Sequence, residues 1–267
     1  MTQIAFLGAG NIAQAIMGGL METGYTGNTI HACDPAPACQ EIARALGANV
    51  AANNDAAIAE AEVVILCVKP NVVVDLLTAV SVPLDTKLVI SVAAGVTVAS
   101  IAEAVPAGTA IVRCMPNTPA LVKTGMTAMY ANTEVSPAQR SQAEAILASV
   151  GQAIWVDDES QLDAVTAVSG SGPAYFFLMM EAMIDAACSQ GLDKQTAKTL
   201  VLQTALGAAR MAVESVDDPA RLRHNVTSPG GTTQAAIESF QAAGYADIVE
   251  AAVDAARRRS VELSANG

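Results

Sequence analysis

The most restrictive feature of this chain lies near its amino end. There the strand-like run 3–7 passes directly into Gly8-Ala9-Gly10-Asn11-Ile12-Ala13, and a helical pattern follows. Gly8 permits a tight turn, Gly10 removes a side chain where an anion must approach the backbone, and Ala13 lets helix and strand pack closely. The amino end of the helix then offers free N–H groups and a partial positive charge. Asp34 ends the next strand-like run, 21 residues beyond Ala13, where a carboxylate can accept bonds from a ribose diol. Strand, glycine turn, helix and acid in this order point to a βαβ unit that holds the pyrophosphate of a dinucleotide.

Similar apolar runs recur at 29–33, 63–68, 87–91 and 109–114, separated by Ala-rich helical stretches. Short continuous apolar runs suit strands covered by helices on both faces. Residues 1–158 are therefore expected to form an α/β domain around a doubly wound parallel sheet. It should end with a strand at 126–131, a helix and a short strand at 153–156. The helix is announced by Ser136 as cap, Pro137 in first position and Gln139 in capping-box position. From 159 to 267 the β signals stop, and the sequence reads as an all-helical domain. Its helices are apolar on more than one face, which a small domain cannot cover alone, so this half is expected to pack against a second copy of itself.

Composition narrows the partners. Of 267 residues 52% are hydrophobic and 15% charged, which excludes a disordered chain. The formal net charge of −12 repels phosphate backbones and anionic lipid, and aromatics at 3% leave few platforms for stacking bases, so no nucleic-acid or membrane partner is expected. No Lys or Arg precedes Arg44, and no uncharged stretch reaches spanning length without Gly, Ser or Thr, so a soluble cytoplasmic protein is expected. Five cysteines without a CxxC pair or partnering His suggest neither a disulfide framework nor a metal site.

Two more segments, Cys67-Val68-Lys69-Pro70 and Val92-Ala93-Ala94-Gly95, lie at the carboxyl ends of strand-like runs, where open α/β sheets bind ligands. Lys69 can be read either as a solvated lysine at a helix start or as a cofactor or substrate contact. In Thr227-Ser228-Pro229-Gly230-Gly231-Thr232-Thr233, two glycines expose backbone N–H groups just before a helix and hydroxyls add donors, so a carboxylate fits without an arginine. Ser169-Gly170-Ser171-Gly172-Pro173 reads either as a site wall or as a helix break made for packing.

The strings FLGAGNIAQAI, VVILCVKP, SVAAGVT, IVRCMPNTP, VSGSGPAYFF and NVTSPGGTTQAAI run through the whole chain. In content, order and spacing it resembles the pyrroline-5-carboxylate reductase family. The resemblance implies a nucleotide-binding domain followed by a helical domain that interlocks in a homodimer, often assembled into larger rings. It implies NADPH or NADH lying along Leu7, Gly8, Ala9, Gly10, Asn11 and Ile12, touching Asn54, and passing the loops Cys67 to Pro70 and Val92, Ala93 and Ala94. It also implies that Ser228, Gly231, Thr232 and Thr233 hold the substrate carboxylate, with the Thr233 hydroxyl near the ring nitrogen and Asn225 helping to close the site. The activity implied is reduction of 1-pyrroline-5-carboxylate to L-proline, the last step of proline biosynthesis, by hydride transfer to the cyclic imine carbon. Asp34 is read from its position alone.

The residue inventory suits an imine. Reducing a ketone develops an alkoxide that needs a proton donor, whereas hydride addition to a protonated imine yields a neutral amine. Only two histidines exist: His31 sits in a strand, and His224 adjoins the glycine loop as a solvated residue. A β-hydroxyacid dehydrogenase would need a lysine in the first interdomain helix, and none occurs between 159 and 190. A non-catalytic nucleotide sensor would have no use for a second anion loop at 227–233.

Overall fold

The computed structural model describes residues 1–265. Eight strands form one sheet: β1 Ile4–Leu7, β2 Ile30–Cys33, β3 Asn49–Val50, β4 Val63–Leu66, β5 Leu88–Ser91, β6 Ala110–Met115, β7 Gly125–Ala131 and β8 Gly151–Trp155. They lie in the order β3-β2-β1-β4-β5-β6-β7-β8, the pattern of a doubly wound sheet in which the chain switches direction beside β1. The six strand-like runs read from the sequence before residue 132 and the one at 153–156 all fall on strands; the two-residue β3 carried too little signal to be read.

One part of the expectation needs correcting. The sheet is parallel except that β7 runs antiparallel to β6, with Val112 facing Ala131 and Met115 facing Ala128. The cause is the connection at 116–124, which contains one 3₁₀ turn, Thr118–Val122. A parallel crossover needs a dozen or more residues, and this loop is too short for one. β8 returns to a parallel pairing with β7 because a full helix, α6 in the numbering below, intervenes.

Successive residues of each central strand point to opposite faces, and each face has its own apolar layer. Phe6, Ile65, Ile90 and Val112 pack with Ile16, Met17 and Leu20 of α1 (Asn11–Glu22) and with Ile146 of α6 (Pro137–Ala148). Leu7, Val64, Val89 and Ile111 pack on the other face with Ile58 of α3 (Asn54–Ile58), Leu77 of α4 (Val73–Ala79) and Ile101 of α5 (Val98–Glu103). The short α2 (Pro37–Ala45) adds Ala43 to the first layer. Each such fully buried aliphatic side chain stabilises by about 1.5–3 kcal/mol. The capping box of α6 is formed: Ser136 Oγ accepts from Gln139 N at 3.3 Å, and Ser136 N donates to Gln139 Oε1 at 3.0 Å.

After β8 the described residues are helical: α7 Gln161–Val165, a π turn Thr166–Gly170, α8 Gly172–Ser189, α9 Lys194–Glu214, α10 Pro219–Asn225, α11 Thr232–Ala242 and α12 Tyr245–Ala265. Residues 266 and 267 of the expected helical half lie outside the described residues. The chain forms two compact units, one of Met1–Pro173 together with 255–265, the other of Ala174–Asp254. The second unit shows much apolar surface of its own, including Phe176, Phe177, Leu206 and Val213, each more than 60% exposed.

Gly151 tests the join of β7 and β8. It sits at φ +148°, and a Cβ there would overlap the backbone of Gly125. Gly151→Ala is expected to cost about 2–4 kcal/mol, as strain and overpacking combine. Urea unfolding should show the loss.

Candidate active site

The ladder between parallel strands continues past their ends. Gly8 N donates to Cys33 O at 2.8 Å, Cys67 N to Leu7 O at 2.8 Å and Val92 N to Leu66 O at 3.1 Å. The glycine turn, the segment Cys67 to Pro70 and the segment Val92 to Ala94 are thereby held at one sheet edge, at the carboxyl ends of β1, β4 and β5. Gly8 has φ +96°, and a Cβ would lie 2.6 Å from Cys67 O, so only glycine permits this approach. At Gly10 the finding is the reverse. An added Cβ meets nothing within 4 Å and would project into open space where a ligand's phosphates can lie.

Gly10 is also the cap of α1 and makes no side-chain capping bond, which leaves the first-turn N–H groups of the helix without a side-chain partner. With a buried Ala13 behind them, Asn11 and Ile12 open that first turn. Such a helix start suits an anion. Gln14 was not singled out from the sequence, because a polar residue one turn into a helix carries no signal. Its Nε2 donates to Ala9 O at 2.7 Å and braces the turn from behind.

Asp34 stands where the sequence placed it, at the end of β2, but its carboxylate is already engaged. Oδ2 accepts from Ala9 N at 2.7 Å and Oδ1 from Ala36 N at 2.8 Å. Its first duty is therefore to tie the glycine turn to the start of α2. Gln40 extends this link by donating to Asp34 O at 2.7 Å, and Arg44 donates to Gln40 Oε1 at 3.2 Å. Asn54 opens α3, where the neighbouring Asn53 is the cap.

Lys69 is exposed and precedes the 3₁₀ turn Pro70–Val72. Partly buried Cys67 and buried Cys114 are not nucleophiles: burial pushes the Cys67 thiol up to about 12 and raises that of Cys114 as well. The Cys114 thiol donates instead to Ser91 O at 3.1 Å.

The segment 169–173 has a specific shape. Ser171 N donates to Thr166 O at 2.8 Å, closing a π turn, a feature often found at functional sites. Asn117 locks it: Nδ2 donates to Ser169 O at 3.0 Å, and Oδ1 accepts from Met126 N at 2.9 Å. A Cβ at Gly170 would lie 2.5 Å from Met115 Cε. The MPNTP and SGSGP strings are thus one structure, and packing accounts for Gly170, whereas a Cβ at Gly172 would meet nothing within 4 Å. Asn117 lies within the MPNTP string, but its partner 52 residues away follows no sequence period.

The second loop lies in the unit Ala174–Asp254. Asn225 is the exposed last residue of α10, and Ser228 is exposed in the turn that follows. The expected pair of free glycine amides is not present. Gly231 N donates to Ser228 O at 3.0 Å and Gly230 N to Gln234 Oε1 at 2.7 Å. Gly230 takes φ +69°, which a turn this tight requires. The donors left are the first-turn amides of α11, where Thr232 and the half-buried Thr233 begin the helix, and the cap Gly231 supplies no side chain.

These features define a class: a two-part protein with a glycine turn of the dinucleotide-binding type on a mainly parallel sheet and a helical half in which α11 starts after an uncapped glycine. Comparison with known proteins narrows it. Residues 3–95 match the family described as NADP oxidoreductase coenzyme F420-dependent, and residues 159–263 match pyrroline-5-carboxylate reductase dimerisation. The chain is 50% identical over 264 residues to the pyrroline-5-carboxylate reductase of Pseudomonas aeruginosa, covering 98% of this chain and 97% of that one. Its fold is similar to a structure of the Coxiella burnetii enzyme of that name, with TM-score 0.92, 40% identity and 98% of both chains covered. It is also similar to the Plasmodium falciparum enzyme with NADP bound, at TM-score 0.87, 28% identity and 98% of both chains. The chain belongs to the pyrroline-5-carboxylate reductase family. Among the described residues no helix is long and apolar enough to cross a membrane.

The thiols give a check on the buried sheet edge. Because the folded state holds the Cys67 and Cys114 protons more tightly than the unfolded state does, stability from these groups is fully present below the ordinary thiol range. It falls as pH rises from there towards about 12. Native protein treated with a thiolate reagent at about pH 8 should leave both cysteines unlabelled, and unfolding should expose them; mass spectrometry of digested peptides will show which occurs.

Proposed function

We propose that this protein reduces 1-pyrroline-5-carboxylate to L-proline with NADPH or NADH. The observation that carries the reading is the pair of glycine-capped helix starts. Gly10 before α1 and Gly231 before α11 both have extended backbone and no side-chain capping bond, so each leaves donors for an anion. One suits a pyrophosphate, the other a small carboxylate.

In this reading Leu7, Gly8, Ala9, Gly10, Asn11 and Ile12 hold the cofactor, with Asn54, Cys67, Val68, Lys69, Pro70, Val92, Ala93 and Ala94 beside it and Asn225 closing the site. Asp34 orders the turn that receives the pyrophosphate and presents its charge near the ribose. Ser228, Gly231, Thr232 and Thr233 take the substrate carboxylate. When bound, NAD(P)H supplies a hydride to the imine carbon. The C=N π pair becomes the nitrogen lone pair, so a protonated imine ends as a neutral amine and no strong acid is required. In this reading the Thr233 hydroxyl bonds the ring nitrogen and orients the imine. What the chain contributes is position and the exclusion of alternatives.

We place the functional boundary at 158/159, with 1–158 for the nucleotide and 159–267 for substrate and assembly. The exposed Phe176, Phe177, Leu206 and Val213 support a homodimer at least, and assembly into a ring of dimers follows the family pattern. The net charge of −12 supports a soluble, cytoplasmic protein without a nucleic-acid partner.

Loss of reduced-cofactor absorbance on adding pyrroline-5-carboxylate tests the reading directly, and silence with both NADH and NADPH would end it. Thr233→Val is expected to lower kcat/KM by roughly 10–100-fold, about 1.4–2.7 kcal/mol, in a protein that stays folded. For cofactor choice, the Asp34 carboxylate disfavours a 2′-phosphate, and Arg44 is engaged with Gln40, which bonds the Asp34 backbone carbonyl and not its carboxylate. NADH should therefore support turnover, with any NADPH advantage in kcat/KM under about a hundredfold, roughly 2.7 kcal/mol. Steady-state kinetics with both cofactors at one ionic strength decides it.

A further inference from the structure

Arg113 is a charged residue in the middle of β6, in the interior of the sheet, and the cofactor site does not use it. It is 5% exposed. Its Nη1 donates to Glu159 Oε1 at 2.8 Å, and Nη2 lies 3.4 Å from Ser264 Oγ in the last turn of α12. A charge so placed costs several kcal/mol unless paired, so Glu159 is held firmly by it.

Glu159 Oε1 has a second partner. It accepts from Val98 N at 2.8 Å, the first amide of α5. Thr97, the cap of α5, accepts from Ser100 N at 3.1 Å, so the two bonds together pin the start of this helix. The segment 92–97 is thus fixed at both ends: Val92 N by Leu66 O in the sheet, and Val98 N by Glu159. Between them Gly95, at φ +77°, carries the last turn of α12 so closely that an added Cβ would lie 3.3 Å from Leu263 Cβ. Asp163 Oδ1 accepts from Ser260 Oγ at 2.7 Å and holds that turn in place.

We propose that Glu159 is a positioning residue for cofactor binding: one carboxylate oxygen, held by Arg113, sets the height of the loop that carries Val92, Ala93 and Ala94. This rests on the reading of that loop as part of the cofactor site. Both bonds land on Oε1, so one variant tests the charge with the reach kept and the other tests the reach with the charge kept. Glu159→Gln keeps an oxygen at the same reach and removes the charge. Glu159→Asp keeps the charge and withdraws the oxygen by one methylene.

NADH binding by fluorescence titration, together with KM for NADH, KM for pyrroline-5-carboxylate, kcat and Tm, should be measured for the wild type and both variants. Glu159→Asp is expected to raise Kd and KM for NADH at least fivefold with KM for the imine within twofold. Glu159→Gln should stay within twofold of the wild type in NADH affinity even though it lowers Tm by leaving Arg113 without a counter-charge. NADH affinity within twofold of the wild type in Glu159→Asp, or a loss in Glu159→Gln as large as in Glu159→Asp, would overturn the proposal. A wild type that binds NADH but does not reduce the imine would defeat the substrate reading alone. A wild type that does not bind NADH or NADPH would remove the cofactor loop and this proposal with it.

Discussion

The nucleotide half depends on the register of four parallel strands. The pairings of Leu7 with Cys33 and Leu66, and of Leu66 with Ser91, bring four strand ends level. The first amide beyond each of β1, β4 and β5 then continues the ladder. A slip of one residue in any of these strands would turn its apolar side chains to the wrong layer and move its loop away from the others. The core therefore enforces the site: Phe6 and Ile65 on one face, Leu7 and Val64 on the other, permit a single register.

Much of this was legible because the strands are short, apolar and β-branched and their helices are rich in alanine, so two periodicities alternate cleanly. The capping box at Ser136 and Gln139 could be read from three positions. The reversal of β7 could also have been read, since the loop at 116–124 is too short for a crossover, but apolar content alone does not report strand direction. Long-range polar bonds stayed hidden. Asn117 to Ser169, Arg113 to Glu159 and Ser260 to Asp163 each join residues whose separation follows no period, and their side chains are ordinary choices for exposed loops. The loop at 227–233 shows a subtler limit. Two glycines promised two free amides, yet Ser228 and Gln234 take both, and the donors move on to the first turn of α11.

Asp34 and Glu159 answer one physical problem in the same way. Each is a carboxylate that accepts from the amide of another segment: Asp34 from Ala9, Glu159 from Val98. Backbone amides in loops carry no sequence information, so a side-chain acceptor is the means by which sequence fixes a loop's height above a sheet. A charge-assisted bond of this kind is stronger than a neutral one. An acid at the end of a strand can thus be structural and face a ligand at once, and its position alone does not separate the two duties.

The sheet unit is discontinuous in sequence: residues 255–265 belong with Met1–Pro173 although the whole of Ala174–Asp254 lies between them. As the chain leaves the ribosome, the eight strands are complete long before Ser260 and Ser264 exist to meet Asp163 and Arg113. The sheet can collapse early around its apolar layers, but the surface beside Gly95 waits for the last turn of α12. Completion of the first-made unit is thereby deferred until the helical unit has been synthesised.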